Sequence, residues 1–149
     1  VALFVDMDGT IVEYRVFPEN FVTTETKKVF LNAEPLEVIL KNLEKINEID
    51  NLDVYILSLA RSFIIVEEKK QWLKKYAPFI REENYILLNK ENGDYNAENR
   101  EFIKSIKMME KLNEYDYVIL LDDDHKILKR TLNEIGKNGE VFHVSSATM

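Results

Sequence analysis

The sequence predicts an α/β domain with a three-layer, Rossmann-like fold, in which helices cover both faces of a central parallel sheet of about five strands. Two observations support this prediction. Short apolar runs alternate with longer amphipathic segments along the chain, and this alternation is typical of a parallel sheet with right-handed crossovers. The chain has 149 residues, which fits one domain over residues 1–149.

The apolar runs predict strands, and the segments between them predict helices. One helix opens near Pro35, since proline suits the first helical turn, and carries apolar residues at helical spacing as far as Ile46. Ser62 is suited to cap the next helix, which ends near Pro78, and Gly136 is suited to end the last one. The predicted strands are 1–5, 52–57, 85–88, 117–121 and 141–144, and further helices are predicted over 97–113 and 125–135.

The composition excludes several classes of function. The chain has no cysteine, so a disulfide framework, a thiolate metal site and a thiol nucleophile are excluded. The absence of cysteine suits a reducing cytoplasm, which is the location we expect. The formal net charge of -7 gives no general attraction for nucleic-acid phosphates or anionic lipid. No apolar run approaches the roughly 20 residues of a membrane-spanning helix, so we expect neither nucleic acid nor membrane as a partner.

Polar side chains follow three of the predicted strands. Asp6 and Asp8 follow the first strand, Ser58 follows the second, and Asp122 and Asp123 follow the fourth. Because ligands of parallel sheets bind outside the carboxyl ends of the strands, we expect these side chains to converge. Carboxylates this close repel one another and need a cation or a shared proton. Magnesium, which prefers few protein carboxylates together with phosphate oxygens, meets that need.

The same residues are suited to phosphate chemistry. A carboxylate beside a metal-bound phosphate can attack phosphorus and form an aspartyl-phosphate. A second carboxyl group can donate and accept the proton, provided that its pKa is raised. A serine hydroxyl such as that of Ser58 can donate a hydrogen bond to a phosphate oxygen. A lysine or arginine is expected nearby to neutralise the remaining charge.

Three segments resemble motifs of the haloacid dehalogenase (HAD) superfamily of phosphatases. They are Asp6-Met7-Asp8-Gly9-Thr10, Leu57-Ser58, and Leu120-Leu121-Asp122-Asp123-Asp124, and they occur in the expected order. The resemblance implies that Asp6 is the nucleophile and a metal ligand, and that Asp8 is the general acid and base and also offers its backbone carbonyl to Mg²⁺. It further implies that Thr10 and Ser58 support the site and the phosphate, and that Asp122 or Asp123 completes the metal site.

The resemblance also implies a cation near the start of the helix before the fourth strand. Arg100 and Lys104 are the favoured candidates, and Lys90, directly after the third strand, is a further one. Gly9 allows the sharp turn after the carboxylates. Together with Ser58, Arg61 and Lys90 it forms the set of candidate substrate contacts.

The segments available for a cap domain are short. Residues 11–33 predict a loop or small hairpin rather than a cap, so we expect a capless or minimally capped protein. The segment 68–73 resembles a stretch of the 5'(3')-deoxyribonucleotidase-like branch, which implies a nucleotide 5'-phosphate as substrate. Alternatives are a phosphatase of polymer ends or phosphoproteins, and a non-catalytic module that binds metal or phosphate and acts through a partner.

Overall fold

A five-stranded parallel sheet forms the centre of the computed structural model, which describes residues 1–13 and 31–148. The strands are β1 (Ala2–Val5), β2 (Asp53–Ala60), β3 (Tyr85–Asn89), β4 (Val118–Asp122) and β5 (Gly139–His143). They lie in the order β3-β2-β1-β4-β5, and every neighbouring pair is parallel. This arrangement confirms the predicted fold class, and it places β1 at the centre with β2 on one side and β4 on the other.

In the described part of the chain, four α-helices connect the strands. They are α1 (Glu37–Ile46), α2 (Phe63–Tyr76), α3 (Ile103–Glu110) and α4 (His125–Ile135). The Ser62 hydroxyl caps α2 by accepting the Ile65 N–H, and Gly136 follows α4 with a φ of 57°, so both predicted helix boundaries are confirmed. Within the described ranges, no helix combines the length and apolar character needed to cross a membrane.

One predicted helix begins later than expected. The prediction started at residue 97, whereas α3 begins at Ile103. The side chain of Asn96 accepts the N–H groups of Glu98 and Asn99, and that of Asn99 accepts the Asn96 N–H. Such local side-chain bonds give the backbone an alternative to the helix. Arg100 therefore lies in a turn before α3 and not in its first turn.

Side chains of β1 alternate between two buried clusters, one on each face of the sheet. Leu3 and Val5 pack in the cluster that includes α1 and α2 residues, whereas Ala2 and Phe4 pack in the cluster that includes α3 and α4 residues. This two-residue period continues past the strand ends. The alternation of side chains determines which helix can contact each polar residue at the carboxyl edge of the sheet.

The segment after β1 is held to the start of α1. Val12 and Pro35 form an isolated antiparallel β-bridge. The Glu13 N–H donates to the Glu34 carbonyl over 2.8 Å, and the Leu36 N–H donates to the Ile11 carbonyl over 2.8 Å. The loop or hairpin predicted over residues 11–33 falls largely on residues 14–30, which lie outside the described residues.

Candidate active site

Asp6 lies at the carboxyl end of β1, in the middle of the sheet. Its N–H donates to the Leu121 carbonyl over 3.0 Å, which extends the pairing with β4 by one residue. One carboxylate oxygen, Oδ1, accepts from Lys104 Nζ over 2.9 Å, and the other, Oδ2, accepts from Thr10 Oγ1 over 3.3 Å. The residue is only 7% exposed, so this carboxylate is held in a defined orientation at the sheet edge.

A tight turn after Asp6 places Thr10 below the carboxylate. The Met7 carbonyl accepts the N–H groups of Thr10, Ile11 and Val12. Gly9 has a φ of 77°, and a Cβ added to it would collide with the Asp123 carboxylate, lying 2.8 Å from Asp123 Cγ. Glycine is therefore required at this position both for its backbone conformation and for the close approach of Asp123.

The three aspartates at the carboxyl end of β4 have different surroundings. Asp122 is 1% exposed: its Oδ1 accepts the N–H groups of Asp123 and Asp124, and its Oδ2 accepts from Lys104 Nζ over 2.7 Å. Asp124 caps α4 by accepting the N–H groups of Lys126 and Ile127. Both oxygens of Asp122 are thus engaged by donors, whereas Asp123 faces Asp6.

Asp6, Asp122 and Asp123 form a candidate divalent-metal site. One carboxylate oxygen from each residue lies within 4.8 Å of the others. Burial raises the pKa of Asp123 to about 7, and the neighbouring carboxylates of Asp6 and Asp122 add to the effect. Clustered carboxylate oxygens that repel one another suit a hard cation such as Mg²⁺.

Lys104 is the cation that the structure brings to these aspartates. It comes from the first turn of α3 and is 2% exposed. Burial alone would lower the pKa of Lys104, but the carboxylates of Asp6 and Asp122 outweigh burial and raise it. The ammonium group is therefore charged and holds two buried carboxylates that would otherwise repel each other.

A second buried lysine, Lys69, was not predicted from the sequence. Its Nζ donates to Ser58 Oγ over 2.7 Å, to the Leu59 carbonyl over 2.7 Å and to Asp8 Oδ2 over 3.2 Å. Burial lowers the pKa of Lys69, while the carboxylates of Asp8 and Asp6 oppose that shift. Its position did carry a signal, because it precedes the buried Trp72 and Leu73 by three and four residues and so shares their face of α2.

The alternation of side chains explains which lysine reaches which residue. Asp6 follows Phe4 at a spacing of two and lies on the α3 face, as does Asp122, so both meet Lys104. Ser58 follows Ile56 at the same spacing and lies on the α2 face, where Lys69 is found. The two lysines thus approach the edge of the sheet from opposite faces.

The remaining predicted residues lie at the rim. Asp8 has a half-exposed side chain and pairs with Lys69. Arg61, Lys90 and Arg100 are exposed, and none of them forms an ion pair with a carboxylate of the described residues. Of the three candidates for the motif cation, the structure therefore brings Lys104 to the aspartates and leaves Arg100 and Lys90 apart from them.

Comparison with solved structures identifies the fold. The chain is similar to the HAD domain of the effector protein Lem4 from Legionella pneumophila, with a TM-score of 0.57 and 15% identity over 95% of this chain and 83% of that one. It is also similar to an inactive mutant of that domain, with a TM-score of 0.58 and 13% identity over 95% of this chain and 84% of that one. No protein-family model matches the sequence, and no curated protein matches it. The domain therefore has a HAD-like fold, and its chemistry has to be argued from its own residues.

Proposed function

We propose that the protein is a Mg²⁺-dependent phosphatase that hydrolyses a phosphate monoester through an aspartyl-phosphate on Asp6. One observation carries the proposal: the Asp6 carboxylate is fixed by a buried ammonium group, Lys104, beside a cluster of candidate metal ligands at the carboxyl edge of the sheet. Four carboxylates (Asp6, Asp8, Asp122 and Asp123) face two ammonium groups (Lys69 and Lys104).

The chain's own residues have distinct roles in this chemistry. When bound by Asp6, Asp123 and Asp122, Mg²⁺ would supply charge neutralisation for the phosphate. An oxygen of Asp6 forms a bond to phosphorus as the bond from phosphorus to the leaving-group oxygen breaks. Asp8 gives its proton to that oxygen and then takes a proton from the water that hydrolyses the acyl-phosphate.

Ser58 is suited to bind the phosphate. Its Oγ accepts a hydrogen bond from Lys69, so its own hydroxyl hydrogen can be donated to a phosphate oxygen. Lys69 also holds Asp8. One buried ammonium group therefore positions both the phosphate donor and the proposed acid.

The substrate and the domain organisation are parts of the same proposal. We propose a single catalytic domain over residues 1–149, with a short insert at about 11–33 in place of a cap and a cytoplasmic location. The resemblance of residues 68–73 to the 5'(3')-deoxyribonucleotidase-like branch favours a small substrate, a nucleotide 5'-phosphate. The net charge of -7 argues against avid binding of a polymer.

The test is release of inorganic phosphate in the presence of Mg²⁺. Phosphate release from an aryl phosphate, a panel of nucleotides, a phosphorylated oligonucleotide and a phosphopeptide would be measured for wild type, Asp6→Asn and Asp116→Asn. Asp116 is an exposed aspartate two residues before β4. We expect turnover by wild type and Asp116→Asn, none by Asp6→Asn, and loss of activity with a chelator. Wild type no faster than Asp6→Asn on every substrate would overturn the proposal.

A beryllium fluoride adduct separates catalysis from the non-catalytic alternative. With Mg²⁺ and beryllium fluoride, a catalytic site should form an acyl-phosphate mimic on Asp6 that Lys104 contacts. Metal bound without an adduct on Asp6, together with absent turnover, would favour a module that acts through a partner.

A further inference from the structure

A group of cations lies beyond the proposed phosphate site, where β2 and β3 end. Ala60 pairs with Asn89, and the Lys90 N–H donates to the Ala60 carbonyl over 2.9 Å. Arg61 and Lys90, the next residues of the two strands, are therefore neighbours at the carboxyl edge of the sheet. Arg61 follows Ser58 by three residues and lies directly after the last residue of β2.

Tyr95 brings a third cation to the same place. Its side chain is 6% exposed, and its hydroxyl donates to the Ala60 carbonyl over 3.1 Å. Burial raises the pKa of Tyr95, and the guanidinium groups of Arg100 and Arg61 act in the opposite direction. Both arginines therefore act electrostatically on this hydroxyl. We call Arg61, Lys90 and Arg100 the rim cations.

The carboxylates near the rim cations either accept hydrogen bonds from other groups or form no ion pair with these cations. Glu91 accepts the Phe63 N–H over 3.0 Å. Asp94 accepts the Asn89 N–H over 2.8 Å and a bond from the Asn92 side chain over 3.1 Å. Glu98 and Glu101, which flank Arg100 in the sequence, form no ion pair with it. Within residues 1–13 and 31–148, no carboxylate forms an ion pair with Arg61, Lys90 or Arg100, which leaves these cations available to an anion from solution.

We propose that the rim cations form a second anion subsite, which binds a negatively charged group on the leaving-group side of the substrate. The inference rests on the proposed phosphatase function and deepens it. The preferred substrate is then a small phosphate monoester whose leaving group carries a second phosphate, phosphonate or carboxylate. Arginine suits such a group because its planar fork binds phosphate and carboxylate through two parallel hydrogen bonds.

The test compares two aryl phosphates that differ only in the second anion. One is phenyl phosphate, and the other carries a phosphonomethyl group at the para position, which the enzyme cannot hydrolyse. We expect wild type to have about tenfold higher kcat/KM for the second compound, because one additional charge-assisted hydrogen-bonded pair contributes a gain of about that size. Arg61→Gln should lose most of this preference, and Arg61→Gln/Lys90→Gln should lose all of it.

A matched control is Arg81→Gln, at the opposite end of β3 from Lys90, where Arg81 pairs with Glu83. This variant should keep the full preference. Calorimetric binding of both compounds to Asp6→Asn, with and without Arg61→Gln, separates the two proposals. Tighter binding of the phosphonate compound that depends on Arg61 supports the subsite even if no turnover is seen. A wild type that treats both compounds alike, or a preference that survives both substitutions, overturns the subsite while leaving the phosphatase function standing.

Discussion

The ammonium group of Lys104 lies 2.9 Å from Asp6 Oδ1, although 98 residues separate the two in the chain. Both side chains are almost fully buried, and the same ammonium group binds Asp122. A buried ion pair of this kind contributes little net stability over apolar residues of the same size, but removing one partner leaves buried charge without compensation. The arrangement is therefore better explained by chemistry at Asp6 than by stability of the fold.

Lys104→Met is expected to destabilise the metal-free protein and to abolish phosphatase activity. Two buried carboxylates would lose their shared cation, which costs about 3–5 kcal/mol of unfolding free energy. Urea denaturation in a chelating buffer measures the loss. Lys107→Met in the same helix is the control, because its ion pair with Glu110 is partly exposed and should change stability by less than about 0.5 kcal/mol. Equal stability of the two variants would contradict the role given to Lys104.

The sequence predicted those parts of the site that depend on strand ends. Asp6, Ser58 and Asp122 each follow a buried apolar run, and parallel strands bring their carboxyl ends to one edge. The sequence did not decide whether Lys104 or Arg100 is the cation beside the aspartates. That choice depends on the residue at which α3 begins, and the hydrogen bonds of Asn96 and Asn99 decide it.

Lys69 shows a different difficulty. Its helix carries mixed charges, and such a helix normally exposes its lysines. The buried Trp72 and Leu73 were on the same face, but whether a lysine there is buried depends on a carboxylate from elsewhere in the chain. Asp8 supplies it, 61 residues away in sequence, and no local pattern encodes that distance.

Lys69→Met is expected to lower kcat/KM by about 10- to 100-fold, the loss that corresponds to hydrogen bonds made by a charged group. The loss should be larger for an alkyl phosphate than for 4-nitrophenyl phosphate, because a poor leaving group needs the proton that Asp8 donates and Lys69 holds Asp8. Steady-state kinetics on both substrates measure it. Lys70→Met, which removes a partly exposed ion pair with Glu67, should leave both rates near wild type. A uniform loss on the two substrates would point to a purely structural role for Lys69.

Magnesium binding is expected to weaken as the pH falls through about 7, where protons compete for Asp123. The metal-free protein should behave in the opposite sense. A carboxyl group whose folded-state pKa is raised contributes stability that is fully present below its unfolded pKa of about 4 and is lost as the pH rises through about 7. Magnesium should therefore raise the melting temperature more at pH 8 than at pH 6.

Thermal unfolding with and without Mg²⁺ at the two pH values tests this. Asp123→Asn should lose most of the magnesium effect at both pH values. Asp124→Asn is the matched control, since asparagine also caps helices well and Asp124 only caps α4. A magnesium effect that Asp123→Asn leaves unchanged would show that Asp123 does not bind the metal.

Gly9→Ala is expected to weaken magnesium binding more than it weakens the fold. Gly9 and Gly93 both have positive φ values, of 77° and 84°, but a Cβ on Gly9 would meet the Asp123 carboxylate, whereas one on Gly93 has no neighbour within 4 Å. Alanine should therefore cost roughly 1–2 kcal/mol of backbone strain at either position, and only Gly9→Ala should displace a metal ligand. Calorimetric titration with Mg²⁺ and urea denaturation of the two variants separate strain from ligand displacement. If Gly9→Ala and Gly93→Ala both bind Mg²⁺ as tightly as wild type, the position of Asp123 next to Gly9 is not needed for metal binding.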